Sequence, residues 1–138
     1  MQEQLSQSQA RRARRILVVD DSPDVTESVS EVLQMLGHTT RVAFDGPTAL
    51  EVAAEFHPEL VLLDLDLPGI SGREVARRLR QMPDGDRMTI VALTGWGDQG
   101  GPGGGREPAF DGHLIKPTGL EVLRVLAGDA SALPPPTP

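Results

Sequence analysis

A chain of 138 residues with 38% hydrophobic and 24% charged side chains fits one compact domain with a core of its own. It has no cysteine, which excludes a disulfide framework and a thiolate metal site, and no apolar run approaches the roughly 18 residues of a membrane span. The net charge of −7 is unevenly spread: residues 1–15 carry four Arg against one Glu, and residues 16–127 carry nine basic against eighteen acidic groups, so nucleic acid is not an expected partner of the acidic body. Met1 to Ala10 is polar, which argues against a leader, and neither membrane nor secretion is expected. A cytoplasmic setting is consistent with all of this.

Residues 1–14 are Gln- and Ser-rich and then basic, without apolar periodicity, and read as a tail or linker; the run from Arg11 to Arg15 lacks interleaved aromatics and reads as solvated. Ile16-Leu17-Val18-Val19 is a first strand that stops at Asp20-Asp21. Ser22-Pro23 then supplies a helix cap and a preset first turn, and Val25, Val29, Val32, Leu33 and Leu36 recur at helical spacing until Gly37. Thr40, Val42 and Phe44 alternate as a second strand, Asp45-Gly46 turns, and Thr48 to Phe56 is a short helix with Ala49, Leu50, Ala53 and Ala54 on its apolar side.

The third unit opens on the apolar run Leu60 to Leu63, which ends abruptly in Asp64 before Leu67-Pro68-Gly69 breaks the chain. A helix is expected from Ser71 to Met82, with Val75, Ala76 and Leu79 inward and Arg73, Arg77, Arg78 and Arg80 largely outward, followed by a plain loop at Pro83-Asp84-Gly85-Asp86. Thr89 to Leu93, ending at Thr94, is the fourth strand, and His113-Leu114-Ile115, ending at Lys116-Pro117, is the fifth. A last helix is expected from Gly119 to Ala127, and a disordered Pro-rich tail over 128–138. Between the fourth and fifth strands a helix is due, yet Gly95 to Gly105 holds seven of the fifteen glycines plus Pro102. Each Gly costs a helix about 1 kcal/mol relative to Ala and Pro about 3, so a long loop is expected there instead.

Five short apolar strands alternating with helices argue for an α/β fold, a doubly wound parallel sheet in the order 2-1-3-4-5. The ends of strands 1, 3, 4 and 5 then converge, and they carry Asp20-Asp21, Asp64, Thr94 and Lys116. Three carboxylates so close together call for a counter-charge, and a hard divalent cation such as magnesium suits oxygen ligands. Lys116 pairs with an incoming phosphoryl group, the Thr94 hydroxyl donates to one of its oxygens, and Asp64 is the nucleophile that forms an acyl phosphate.

At this point the chain resembles the response-regulator receiver domains of two-component phosphorelays, over about Arg15 to Ala127. The motifs are V-V-D-D at 18–21, D-L-D-L-P-G at 64–69, A-L-T-G at 92–95 and K-P at 116–117. The resemblance implies Asp64 as phosphoacceptor, Asp21 as a direct Mg2+ ligand, Asp20 acting through water, and the Asp66 backbone carbonyl completing the protein's share of the metal site. It also implies a signalling domain rather than an enzyme, a cis Lys116–Pro117 bond, and a histidine kinase or phosphotransfer domain as donor. The chain would be a stand-alone regulator or the terminal receiver of a hybrid histidine kinase, acting on an unidentified downstream protein.

Three positions depart from the family pattern. His113 stands where receivers carry a switch Tyr or Phe, with a plain surface histidine as the alternative. Asp66 and Trp96 flank the expected path of attacking water, where an anionic Asp66 would alter acyl-phosphate lifetime. The shortage of helix in the 95–105 segment argues for a monomer, because the usual dimer face includes that helix. Two other readings share part of the pattern: a haloacid-dehalogenase-like phosphatase, suggested by D-L-D but with the acidic motifs in reversed order, and a receiver-fold binding module that has lost phosphorylation.

Overall fold

The computed structural model describes residues 13–94 and 109–115, the last of these by its main chain only. The Gly-rich segment with Gly95 and Trp96, Lys116 with its bond to Pro117, the helix expected over 119–127, and residues 1–12 and 128–138 lie outside the described residues. The elements are β1 (Arg15–Val19), α1 (Pro23–Met35), β2 (Thr39–Ala43), α2 (Gly46–Phe56), β3 (Leu60–Asp64), α3 (Gly72–Arg80), a 3-10 turn (Gly85–Arg87), β4 (Thr89–Thr94) and β5 (Gly112–Ile115).

The five strands form one sheet in the order β2-β1-β3-β4-β5 with every pairing parallel. All five residues of β3 are buried. That is the consequence of covering both faces of a parallel sheet, which makes a central strand apolar without alternation. Odd and even positions therefore feed two cores. Leu17, Val19, Val61 and Leu63 pack with Ala49, Ala53, Val75 and Leu79 of α2 and α3, while Ile16, Val18, Leu60 and Leu62 pack with Val29 and Leu33 of α1. Each leucine or isoleucine so enclosed contributes roughly 1.5–3 kcal/mol.

The helix starts are set by side chains rather than by propensity alone. Ser22 Oγ accepts from the Val25 N–H, with Pro23 in the first turn, and Ser71 Oγ accepts from the Glu74 N–H. Asp45 does the same for α2, so the helix begins two residues before the expected Thr48, and Asp45 is its cap rather than part of a turn. Its Oδ1 accepts from the Thr48 N–H at 2.8 Å. Hydrogen bonds from the Thr48 backbone and side chain hold the Asp45 carboxyl below its ordinary value of 3.8. Because the folded value is the lower one, the cap's contribution is complete above that ordinary value and is lost as pH falls through the folded value. Asp45→Asn is expected to flatten that acid limb of a urea-midpoint-against-pH curve; an identical curve in the variant would reject the assignment.

Several sequence expectations change in detail. β2 ends at Ala43, and Phe44 lies beyond it, 44% exposed, instead of alternating into the core. On α2 the inward set is Ala49, Ala53 and Phe56, and Ala54 faces solvent. The expected plain loop after α3 contains the 3-10 turn at Gly85–Arg87. Arg15, taken with a solvated basic run, donates from Nε to the carbonyls of Phe56 and His57, where a cation complements the last carbonyls of α2. Arg80 is not outward: its guanidinium donates to the carbonyls of Gly85, Met88 and Ala109 and to the Asp111 carboxylate.

Candidate functional site

The register puts the acidic residues at one height. Val19 lies opposite Leu63, so Asp20 and Asp64 leave the tips of adjacent strands at the same level. Asp64 in turn lies opposite Leu93, so Thr94 stands one step beyond, and Thr94 lies opposite Ile115, the residue before Lys116. Sheet pairing alone thus gathers the ends of β1, β3, β4 and β5 at the carboxyl edge of the sheet, where open α/β sheets bind ligands.

The side chains are held from below and open above. Asp20 and Asp64 are 0% and 2% exposed, Thr94 is 4% exposed, and Asp21 faces solvent. One oxygen from each of Asp20, Asp21 and Asp64 lies within 4.8 Å of the others. The Oδ1 of Asp20 accepts from the Ser22 N–H at 2.9 Å, and since Ser22 itself caps α1, the Asp20 carboxylate is not the helix cap. The Oδ1 of Asp64 accepts from the Asp66 N–H at 3.0 Å. That bond fixes one carboxylate oxygen while the loop turns away, and it leaves the Asp66 side chain exposed.

The loop after β3 is built to bring α3 against the reactive strand tip. Leu67 is buried and pins the loop, Gly69 takes φ 78°, a conformation that favours glycine, and the Gly72 N–H reaches the Leu65 carbonyl at 3.3 Å. A Cβ at Gly72 would lie 2.3 Å from the Asp64 carbonyl oxygen. Only glycine allows that approach.

His113 is half-buried and packs at 5.9 Å between ring centroids against Phe110, tilted by 41°. Its Nε2 is buried without a hydrogen-bond partner among the described residues. The ring is therefore partly buried, with its Nε2 end turned inward. A buried polar atom left unsatisfied costs about 1–3 kcal/mol, so His113→Phe is expected to stabilise the fold by about 1 kcal/mol. A urea midpoint that stays level or drops would show that Nε2 is satisfied in solution.

The cluster is a set of oxygen donors only, two sheltered and one open to solvent, and such a set fits a hard divalent cation. A carboxylate at a strand tip with a hydroxyl beside it is also the arrangement that phosphoryl transfer requires. Sequence patterning found these residues because they end apolar runs. It missed Leu67, whose burial depends on the loop path, and the contacts of Arg80, although an arginine at a helix end before a Pro-Asp-Gly stretch is placed to meet free carbonyls.

The fold and this acidic edge define a class of protein, the phosphorelay receivers, and the comparison with known proteins agrees: residues 16–127 match the family described as response regulator receiver domain, and the chain belongs to it. Among relatives, the DNA-binding response regulator MtrA of Mycolicibacterium smegmatis is 42% identical over 104 residues, which is 75% of this chain and 44% of that protein. Among solved structures, the chemotaxis response regulator CheY4 of Vibrio cholerae superposes with a TM-score of 0.75 at 28% identity, covering 80% of this chain and 92% of that one. TrrA of Thermotoga maritima, solved in complex with Mg(2+)-BeF, gives 0.68 at 33% identity, covering 80% of this chain and 93% of that one.

The chain is thus a two-component signalling domain with a five-stranded parallel sheet of the CheY type. It spans less than half the length of the curated relatives it matches. The DNA-binding description of one relative narrows the expectation drawn from charge: that expectation concerns the acidic residues 16–127 and not a longer protein. No helix among the described residues is long and apolar enough to cross a membrane.

Proposed function

We propose that this domain accepts a phosphoryl group from a phosphohistidine of a histidine kinase or phosphotransfer domain onto Asp64, and signals through the change in surface that follows. The observation that carries this is the meeting of Asp20, Asp21 and Asp64 oxygens within 4.8 Å at the strand tips, with the buried Thr94 at the end of the neighbouring strand. In the step itself an Asp64 carboxylate oxygen forms a bond to phosphorus as the bond from phosphorus to the donor nitrogen breaks, leaving an acyl phosphate on Asp64 and a neutral imidazole on the donor once it takes a proton. The Asp66 N–H orients the attacking carboxylate by its bond to Oδ1. Thr94 donates from its hydroxyl to a phosphoryl oxygen, and Lys116 pairs with another.

Magnesium, when bound, supplies neutralisation of the charge that gathers at the phosphoryl oxygens. Its proposed ligands are Asp21, Asp64 and the Asp66 carbonyl, with Asp20 acting through water. The exposed Asp66 carboxylate bears on the lifetime of the acyl phosphate, and His113 on β5 couples the site to the surface. Residues 15–127 are the proposed receiver unit, monomeric and cytoplasmic, flanked by segments 1–14 and 128–138. Incubation with magnesium and acetyl phosphate tests this: one acid-stable, hydroxylamine-sensitive phosphoryl group per chain, dependent on the metal, is the expected result. Absence of label would sink the proposal, and repeated turnover of a phosphomonoester would favour the dehalogenase-like phosphatase.

A further inference from the structure

Arg80 is the last residue of α3, and its guanidinium reaches two separate stretches of chain, 85–88 and 109–111. Nη1 donates to the carbonyls of Gly85 at 2.8 Å and Met88 at 2.6 Å, Nε donates to the Ala109 carbonyl at 3.0 Å, and Nη2 meets Asp111 Oδ2 at 2.7 Å. Four of the five guanidinium N–H groups are thereby used, in a planar fork that lysine cannot reproduce. The same Asp111 Oδ2 accepts from the Ile90 N–H at 2.8 Å, and the Asp111 N–H donates to the Ile90 carbonyl at 2.7 Å. Both main-chain polar groups of Ile90, near the start of β4, are thus tied to the residue that precedes β5.

β5 needs such a tie. It is four residues long, stands at the edge of the sheet, and among the described residues pairs only with β4. A parallel edge strand this short has few bonds with which to hold its register, and a slip of one residue would exchange the faces of His113 and Leu114. It would also displace the residue after Ile115, which is Lys116. The other end of α3 rests on the nucleophile's own strand, where Gly72 closes on the Asp64 carbonyl. One short helix therefore braces the tip of β3 with its first residue and holds the entry to β5 with its last.

We infer that Arg80 and Asp111 form a clamp that sets the position and register of β5, the strand that leads into the Lys116 proposed for phosphoryl transfer. This makes Arg80 and Asp111 positioning residues, and the inference rests on the phosphoacceptor reading of Asp64. It has a consequence that general loosening of the fold lacks. The acids proposed to hold the metal lie at the tips of β1 and β3, neither of which pairs with β5. Loss of the clamp should slow transfer and spare the metal.

The test uses the full chain with Arg80→Ala, Arg80→Lys, Asp111→Ala and Asp111→Asn. Metal-dependent labelling by acetyl phosphate is timed, and magnesium affinity and the His113 and Leu114 amide shifts are read by NMR titration. Arg80→Ala, Arg80→Lys and Asp111→Ala should label at least about tenfold more slowly with magnesium affinity within about twofold of wild type. Asp111→Asn keeps an acceptor and should stay within about threefold of the wild-type rate. If Arg80→Ala fails to fold, the contrast between the two Asp111 variants decides alone, since that side chain is half exposed. Variants that label at the wild-type rate, or that lose labelling and magnesium binding together, overturn the clamp while leaving the phosphoacceptor reading intact. A wild-type chain that takes no label overturns that reading, and the clamp's role falls with it.

Discussion

Asp64→Asn is expected to lower magnesium-dependent labelling by acetyl phosphate to background, a loss of at least about 1,000-fold, with the fold retained. The carboxamide has nearly the shape of the carboxylate, so it fits the space that leaves Asp64 only 2% exposed. Its oxygen still accepts from the Asp66 N–H, the bond that measures 3.0 Å in the wild type. What is lost is the anionic nucleophile, for which the neutral amide is no substitute. The choice of asparagine matters, because alanine would also empty a buried site and confuse a chemical loss with a packing one. Intact-mass detection of the phosphoryl group, with amide spectra of the variant alongside, separates these effects. Stoichiometric label surviving in Asp64→Asn would move the acceptor to another residue of the cluster, Asp20 and Asp21 first, or to Asp66 in the adjoining loop.

The legibility of this site in the sequence follows from how parallel sheets are built. A central strand buried on both faces must be apolar throughout, so the polar residue that ends it stands out, as Asp64 does after Leu60 to Leu63 and Asp20 after Ile16 to Val19. Strand order then brings those ends together without any detail of side-chain packing. Interactions that depend on where the chain happens to pass are different in kind. Phe44 continued an alternating pattern, but β2 stops at Ala43 and the phenyl ring is left half outside, because α2 starts at once with Asp45 as its cap.

Arg80 is the clearest case. Of the four arginines expected outward, Arg77 and Arg78 do face solvent and share Glu74, while Arg73 is half-buried. The carbonyls that draw Arg80 aside belong to Gly85, Met88 and Ala109, which come together only in the folded chain. Periodicity reports the face of a helix; the nearby carbonyls of Gly85 and Met88 follow from the turn after α3, whereas that of Ala109, 29 residues on, leaves no mark in a local pattern.

Gly72→Ala should cost about 3 kcal/mol or more, whereas Gly69→Ala, three residues earlier, should cost about 1 kcal/mol. The reasons are opposite in kind. At Gly69 the backbone has φ 78° but nothing lies within 4 Å of an added Cβ, so only the conformational strain counts. At Gly72 the added carbon would meet the Asp64 carbonyl oxygen at 2.3 Å and Leu65 Cα at 2.8 Å. Those are backbone atoms, which cannot swing aside as the end of a side chain can. Relief therefore requires α3 to lift from β3, yet Val75, Ala76 and Leu79 hold the helix with no exposed surface at all. Lifting it would also stretch the Gly72 N–H bond to Leu65, worth about 1 kcal/mol, while the better helix propensity of alanine returns at most about the same amount. If the strand tip yields instead, the Asp64 carboxylate moves with its own carbonyl, and a displacement near 1 Å at a reacting group slows transfer by about 100-fold. Urea midpoints and labelling rates for the two variants decide the matter. A Gly72→Ala protein as stable as Gly69→Ala, labelling at the wild-type rate, would show that the close approach of α3 to the tip of β3 is not what holds Asp64 in place.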